Sequence, residues 1–268
     1  MHKVRYILSL IIMALLLVSC GEFIRVQRST DLSLKYSYAK KYYNLEKYRQ
    51  ASDLLTEVVP SYDGTVEGGQ AIFMLADCYY HLKEGELAAD YFKRYYNNYP
   101  KGELAQEARY KAALGLYEAS PEPRLDQQPT YQAISELQLF LDLYPDSPYA
   151  LDIKDKLFSL QDKLAYKEYL SAELYYNMGM YMGNNYESCI ITANNALKTY
   201  PYTKYKEDFY FLILQAAYAE ASNSVHEKMQ VRFRNVVDQY HNYVAEFPNG
   251  KYAKQAASIF EKAKKYIS

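Results

Sequence analysis

Side chains with the types and spacing that catalysis or metal binding requires are few in this sequence. Beyond residue 20 the histidines are His81, His226 and His241, and none has a second ligand-type residue at zinc-site spacing. Glycine-rich phosphate loops and nucleophile turns do not occur, and we interpret the pair Gly68–Gly69 as a turn between helices. The many carboxylates are scattered, as on a solvated surface. The sequence therefore predicts no metal, no cofactor and no enzymatic activity.

Cys20 is the residue whose context suggests covalent chemistry. It ends the string "LVSC", which follows a basic start at Lys3 and Arg5 and an apolar run over Tyr6–Val18. That run is too short to span a bilayer comfortably and has the length of a signal-peptide core. The string resembles the lipobox of bacterial lipoproteins, in which cleavage leaves the cysteine as an acylated N-terminus. We therefore predict a lipoprotein signal peptide over 1–20; the alternative is an ordinary secretory signal with a chance cysteine.

Charge and cysteine usage after residue 20 restrict the remaining functions. Residues 1–20 contain two of the 31 basic residues and none of the 32 acidic ones, so the mature chain carries a net charge of −3. A chain this close to neutral, without a basic stripe, is not expected to bind nucleic acid. Cys78 and Cys189 both lie in apolar helical contexts, so we predict small buried residues there and not a disulfide.

The elements that position these residues are marked by four similar strings in which an aromatic residue precedes a proline. The prolines are 45, 56 and 47 residues apart, and a small residue follows each of them by two positions. Proline cannot continue a helix, so each string predicts a helix end followed by the cap of a new helix. The four pairs are Tyr99–Pro100, Tyr144–Pro145, Tyr200–Pro201 and Phe247–Pro248.

A second pattern lies upstream of each proline: a small residue, an aromatic residue, another small residue and a large apolar one. Ala76, Tyr79, Ala88 and Phe92 show it before Pro100, and it resembles the tetratricopeptide repeat. Looser copies occur elsewhere, with Cys189 in one small position. The predicted fold is all-α: a right-handed α-solenoid of about five tetratricopeptide-like helical hairpins with a C-terminal capping helix.

The same patterns predict the domain organisation. A flexible tether is expected over 21–30 and N-terminal repeats over 31–150. The range 151–268 is expected to hold a connector helix, the C-terminal repeats and the capping helix. The connector is predicted because Leu151–Met182 contains no proline and has apolar residues at helical spacing.

Tyrosine is unusually abundant, with 33 copies and no tryptophan. A tyrosine ring buries a large apolar area while its hydroxyl stays wet, which suits a half-covered binding surface. The first helix of each hairpin lines the groove of such a solenoid. We therefore predict a peptide-binding groove lined by Tyr36, Tyr43, Tyr80, Tyr110 and Tyr117.

The signal sequence, five repeat units and the segments "YFKRYYNNYPKGELAQEARY" and "FLDLYPDSPYA" together resemble the BamD family of the outer-membrane β-barrel assembly machinery. The resemblance covers roughly residues 31–267. It implies a lipid-anchored scaffold on the periplasmic face of the outer membrane, acylated at Cys20. It further implies that C-terminal repeats bind the periplasmic domains of a BamA-type barrel protein, that N-terminal repeats engage unfolded outer-membrane proteins, and that accessory lipoproteins are possible partners.

Two other functions are compatible with parts of the sequence. One is an envelope lipoprotein that acts as a pilot or coordinator for a secretin or a cell-wall factor. The other is an enzyme that uses the groove, which would need converging carboxylates or a metal cluster beside a pocket. Co-purified partners separate the first alternative from the assembly scaffold, and the arrangement of the carboxylates tests the second.

Overall fold

Helices account for nearly all of the regular structure in a computed structural model that describes residues 21–267. Cys20 and the predicted signal peptide therefore lie outside the described residues. Residues 21–27 are helical, and short 3₁₀ turns occur at Val59–Ser61 and Lys264–Tyr266. The longer helices are α1 (Leu32–Asn44), α2 (Tyr48–Val58), α3 (Val66–His81), α4 (Gly85–Asn98), α5 (Ala105–Ala119), α6 (Gln128–Leu143), α7 (Ala150–Met178), α8 (Asn185–Thr199), α9 (Lys206–Ser222), α10 (His226–Glu246) and α11 (Ala253–Ala263).

The four aromatic–proline strings end helices as predicted, and they do so with one shared geometry. In each copy the helix stops one residue before the aromatic. The carbonyl of the aromatic then accepts a hydrogen bond from the amide two residues after the proline: Gly102, Ser147, Thr203 or Gly250, at 3.0–3.2 Å. One turn type thus closes four different helices.

The residue that begins the next helix differs from the prediction. The small residue after each proline was expected to cap it, yet the N-caps assigned are Leu104, Tyr205 and Tyr252, two positions later. Ser147 and Thr203 instead use their hydroxyls to accept from the amides of Tyr149 and Tyr205, at 3.2 and 3.3 Å. The small residue therefore belongs to the turn and does not cap the next helix, since one further residue lies between it and the N-cap.

The chain forms two compact units. Within the described residues, one consists of 21–120 together with 128–156, and the other of 121–127 and 157–267. In the first unit α1 pairs with α2, α3 with α4 and α5 with α6, as the repeat pattern predicts. The predicted small positions Ala39, Ala76, Ala88, Ala113 and Ala133 are all fully buried, which lets the paired helices approach closely.

The second unit contains α8 to α11 and the last 22 residues of α7. Contacts run from α8 to α9, from α9 to α10 and from α10 to the capping helix α11. Its core includes Cys189, Phe209, Phe233 and Tyr243, all of them buried. Cys189 and Cys78 are both buried free thiols, as predicted, and burial raises the pKa of each to about 12.

Residues 21–27 differ from the flexible tether predicted for 21–30. They form a short helix that packs on α1, with Val26 fully buried and the ring of Phe23 edge-on to Tyr42 at 5.6 Å between centroids. Phe23 and Val26 lie three residues apart, so one turn of helix presents both to α1. The prediction missed this because the segment was too short to show a periodic apolar pattern.

Gly68 and Gly69 also differ from prediction, since they lie in the first turn of α3 and not in a connecting turn. The hydroxyl of Thr65 caps this helix by accepting from the amide of Gly68 at 3.0 Å. A Cβ added at Gly68 would lie 1.9 Å from the carbonyl oxygen of Tyr62, whereas one at Gly69 would meet the ring of Tyr99 at an ordinary 3.5 Å. Gly68 is thus a close-approach residue and Gly69 is not.

This contrast predicts opposite effects for two neighbouring substitutions. Gly68→Ala should lower the free energy of unfolding by about 1–3 kcal/mol, because the backbone around Tyr62 must move. Gly69→Ala should raise it by up to about 1 kcal/mol through better helix propensity. Denaturant unfolding followed by circular dichroism measures both, and equal effects at the two positions would contradict the close approach.

Candidate peptide-binding face

The five tyrosines predicted to line a groove all lie on the first helices of hairpins in the first unit. Tyr36 and Tyr43 are on α1, Tyr80 is on α3, and Tyr110 and Tyr117 are on α5. Tyr36 is buried, with 6% of its surface exposed, and the other four are half-buried. We call the surface formed by α1, α3, α5 and the start of α7 the first-helix face.

Three of these tyrosines connect each first helix to the next one. Tyr43 donates to a carboxylate oxygen of Asp77 at 2.5 Å, Tyr80 to Glu118 at 2.8 Å and Tyr110 to Asp152 at 2.9 Å. Each acceptor lies on the following first helix. We call this set the tyrosine–carboxylate ladder; it fixes the spacing between successive hairpins.

A lysine contacts each carboxylate of the ladder. The ammonium groups of Lys111, Lys83 and Lys156 lie 2.6, 3.0 and 2.6 Å from Asp77, Glu118 and Asp152 respectively. Each carboxylate therefore accepts from one phenol and one ammonium group. Charge-assisted hydrogen bonds of this kind are shorter and stronger than neutral ones.

The ladder has a defined protonation state near neutral pH. Burial, reinforced by the hydrogen bond to Asp152, raises the pKa of Tyr110 to about 12. Burial and the hydrogen bond that each makes to its own carboxylate likewise raise the pKa of Tyr43 and of Tyr80. Burial alone would raise the pKa of Glu118, but hydrogen bonds from Lys83 and Tyr80 outweigh it and hold that pKa below its usual value. The phenols are therefore neutral donors, and Glu118 and Asp152, whose pKa values are lowered, are charged acceptors.

Tyr36 and Tyr117 lie at other positions on the face. The Tyr36 hydroxyl is 3.3 Å from both the carbonyl of Glu67 and the side-chain oxygen of Gln70, and the Lys40 ammonium lies 4.3 Å from its ring centroid. The Lys156 ammonium lies 5.4 Å from the ring centroid of Tyr117. Both rings thus face a cation.

These contacts limit how the first-helix face could bind a peptide. The hydroxyls of Tyr43, Tyr80 and Tyr110 already donate within the ladder, and the Tyr110 ring stacks on Tyr149 at 4.1 Å between centroids, so a peptide would meet only the parts of these rings that stay exposed. The groove formed by these tyrosines stays a prediction, and the sequence analysis did not foresee their carboxylate partners. Tyrosine and carboxylate are 34, 38 and 42 residues apart, so the pairs recur without one fixed period.

Acidic side chains line one surface cavity, of about 580 Å³, beside the turn between α3 and α4. Its lining includes Glu84, Glu86, Asp90 and Glu118. Glu118 is held by Tyr80 and Lys83, and Glu84 pairs with Arg49 at 3.1 Å. A carboxylate whose pKa is lowered, as at Glu118, is a poor general acid.

Histidine does not add a metal site to this surface. His81 stacks on Tyr48 at 4.2 Å between ring centroids and lies 3.5 Å from Asp77. Within residues 21–267, no group of three or more histidine, cysteine, aspartate or glutamate side chains is arranged to hold a metal ion. The face therefore offers rings and ion pairs for binding.

A comparison with known families assigns the chain. A family model described as "YfiO: Outer membrane lipoprotein" matches residues 29–183, which include the whole ladder. The chain belongs to the YfiO family of outer membrane lipoproteins. This family assignment agrees with the resemblance inferred from the repeats, and with the all-α fold of paired helices.

One curated relative of this YfiO-family chain is the outer membrane protein assembly factor BamD of Caulobacter vibrioides. The two are 26% identical over 154 residues, which is 58% of this chain and 50% of the relative. The chain thus spans about half the length of the curated relative it matches. In the described part of the chain, no helix has the length and apolar character needed to cross a membrane.

Proposed function

We propose that this YfiO-family chain is a scaffold subunit of an outer-membrane β-barrel assembly machinery. The observation that carries the proposal is the family match over residues 29–183, supported by the relative named as an outer membrane protein assembly factor. In this proposal the chain acts by binding other polypeptides and not by catalysis. Cys20, which precedes the described residues, carries the acyl anchor on the periplasmic face of the outer membrane.

The first unit is proposed to engage unfolded outer-membrane proteins through the first-helix face. Half-buried rings in a row, held at fixed spacing by the ladder, provide contacts for an extended chain without demanding one sequence. The ladder also lowers the cost of binding, because the side chains beside the groove are already ordered. We assign to this contact Tyr80, Tyr110 and Tyr117, three of the half-buried rings on α3 and α5.

The second unit is proposed to bind the periplasmic domains of a BamA-type barrel protein. Its support is an apolar surface around the turn that joins α7 to α8. Large apolar side chains that would ordinarily be covered are exposed there, with Met182 at 89% and Tyr181 at 68%. We call residues 174–182 the methionine-rich turn; flexible methionines are frequent at protein-binding surfaces.

Affinity purification from detergent-solubilised outer membranes, followed by mass spectrometry, tests this function. The expected result is recovery of a BamA-type barrel protein with the tagged chain, with or without accessory lipoproteins. Recovery of a secretin or a cell-wall factor in its place would favour a pilot or coordinator role. Recovery of no barrel protein would overturn the proposal.

Substitution within the methionine-rich turn provides a sharper prediction. Met180→Ser combined with Met182→Asn should lower recovery of the barrel protein by about tenfold, as expected if two contact residues are lost. Stability should change by less than about 0.5 kcal/mol, because both side chains are exposed. Asparagine also tolerates the positive φ of +55° at Met182.

The matched control is Leu151→Ser in the first unit, which removes an equally exposed apolar side chain. That variant should recover as much barrel protein as the unmodified chain. Equal recovery by the methionine variant and the leucine variant would place the contact elsewhere in the molecule.

A further inference from the structure

The short helix over residues 21–27 begins directly after Cys20 in the sequence, and it is fastened to the first hairpin. Besides the packing of Phe23 and Val26, the carboxylate of Glu22 accepts from the hydroxyl of Tyr38 at 3.0 Å and from the ammonium of Lys41 at 3.2 Å. A group attached at position 20 is therefore separated from a docked element by a single peptide bond. The first unit cannot swing away from that group on a long linker.

The opposite side of the same helix faces solvent and has a composition that suits a lipid surface. Ile24 is 42% exposed, and Arg25 and Arg28 are exposed beside it. Lys40 and Lys41, on the neighbouring helix α1, are exposed as well. An apolar side chain among long basic ones is the arrangement found where a protein rests at the headgroup level of a membrane.

Charge is distributed unevenly along the chain. Residues 21–47 contain six basic and three acidic side chains, a net charge of +3. Residues 48–268 contain the remaining 23 basic and 29 acidic ones, a net charge of −6. The positive segment is thus the part that directly follows Cys20. Lys35 within it is buried and pairs with Glu57, so the complement to anionic headgroups comes from its exposed basic side chains.

We propose that Ile24, Arg25 and Arg28, with Lys41 of α1, form a contact surface for anionic lipid headgroups. The surface lies on the leaflet that holds the anchor, and it seats the first hairpin against the membrane. The proposal rests on the proposed acylation of Cys20, which brings this surface to the leaflet. Each basic residue near an anionic surface strengthens attachment roughly fivefold, so the cluster selects one orientation out of the many that an acyl anchor alone permits.

Lipid quenching of a site-specific fluorophore tests this contact on the acylated full chain. The chain is reconstituted in vesicles of equal parts phosphatidylglycerol and phosphatidylcholine that contain a headgroup spin-labelled lipid. One variant carries the fluorophore at Ile24→Cys and the other at Asp146→Cys, an exposed turn position two hairpins further along the first unit. Cys78 and Cys189 stay unlabelled, because both are buried and burial raises the pKa of each to about 12.

The expected result is strong quenching at position 24 and little at position 146, with the signal at 24 falling in vesicles of phosphatidylcholine alone. Arg25→Glu with Arg28→Glu should reduce quenching at 24 by at least about threefold, through loss of two favourable charges. Lys254→Glu with Lys262→Glu, the same charge change on exposed residues of α11, should leave it unchanged.

Equal quenching at the two positions, or quenching at 24 that ignores lipid charge, would overturn the contact. So would protection of position 24 by a second protein copy in place of lipid. Lipid quenching is measured on the vesicle-bound chain, so a negative result there can be told apart from failure of the proposed function. That failure would appear as an intact mass without acyl groups, or as purification without a barrel protein.

Discussion

Replacing Asp77 by alanine is expected to lower the free energy of unfolding of the first unit by about 3 kcal/mol, since removing one partner of a buried ion pair costs about 3–5 kcal/mol. Asp77 is only 3% exposed and belongs to the first rung of the ladder. It accepts from Tyr43 on α1 and from Lys111 on α5, and so links three successive first helices. The lower end of that range applies because Lys111 also contacts Glu107, at 3.1 Å.

The size of the effect follows from what remains after the substitution. The Lys111 ammonium would stay largely buried with one carboxylate in place of two. Burial by itself lowers the pKa of Lys111, and the hydrogen bonds to Asp77 and Glu107 are what raise it above its usual value. Without Asp77, the burial penalty is offset by Glu107 alone. The Tyr43 hydroxyl would also lose its acceptor.

Hydrogen exchange of the amides in α1, α3 and α5, together with denaturant unfolding, measures this prediction. Asp90→Ala is the matched control, because Asp90 lies on the same repeat and is exposed; it should change stability by less than about 0.5 kcal/mol. Asp77→Asn should fall between the two, since the amide keeps the shape and loses the charge. If Asp77→Ala were no more destabilising than Asp90→Ala, the ladder would contribute nothing to stability.

A double-mutant cycle separates the Tyr43 contact from the rest. Tyr43→Phe removes the hydroxyl and keeps the ring, so the coupling between Tyr43→Phe and Asp77→Ala reports the hydrogen bond itself. Coupling of about 1.5–3 kcal/mol is expected for a hydrogen bond to a buried carboxylate. This value would also show that the two first helices are joined by the ladder as well as by apolar packing.

The helix ends were predictable from sequence because local chemistry determines them. Proline removes a backbone donor and constrains the preceding residue, and this holds at Pro100 as at Pro248 whatever surrounds them. The buried small residues were predictable for a related reason: a hairpin of two helices needs a short side chain at each crossing. Ala76, Ala88 and Ala133 are fully buried in accordance with that requirement.

The features that sequence reasoning missed depend on contacts between distant residues. In the sequence Asp77 is one of many carboxylates on helices. Only the structure shows that it contacts Tyr43 on α1 and Lys111 on α5. From sequence alone Gly68 resembles a turn residue, and only the structure shows that the carbonyl oxygen of Tyr62 occupies the space that a Cβ would need. In both cases the sequence shows the residue type but not its contact partner, which is Tyr62, 6 positions from Gly68, and Tyr43, 34 positions from Asp77.

The repeat lengths explain why the ladder could not be found by applying a single period. Its three steps span 34, 38 and 42 residues, because the connections within and between hairpins differ in length. A search at one fixed interval would therefore find one rung and miss two. Paired residues on successive first helices define the pattern better than any sequence period does.

Replacing Cys20 by alanine is expected to remove the protein from the outer-membrane fraction, with a decrease of at least about 100-fold. In the proposed anchor, thiol and amine of Cys20 both carry acyl chains, and each buried CH₂ contributes about 0.8 kcal/mol. One chain holds a protein only marginally, whereas two or more hold it stably, so the loss of all of them is nearly complete. Membrane fractionation and intact mass measure the two consequences independently.

Cys78→Ala is the control for this experiment, because it removes a thiol that is buried and free. That variant should keep the acyl mass and stay in the outer-membrane fraction, at a modest cost in stability for the lost sulfur. If the Cys20→Ala chain stayed in the outer membrane to the same extent, acylation at position 20 would not be the anchor. The basic surface around Arg25 and Arg28 would then be insufficient as an explanation too, because about fivefold for each of its three basic residues cannot substitute for chains that bury tens of CH₂ groups.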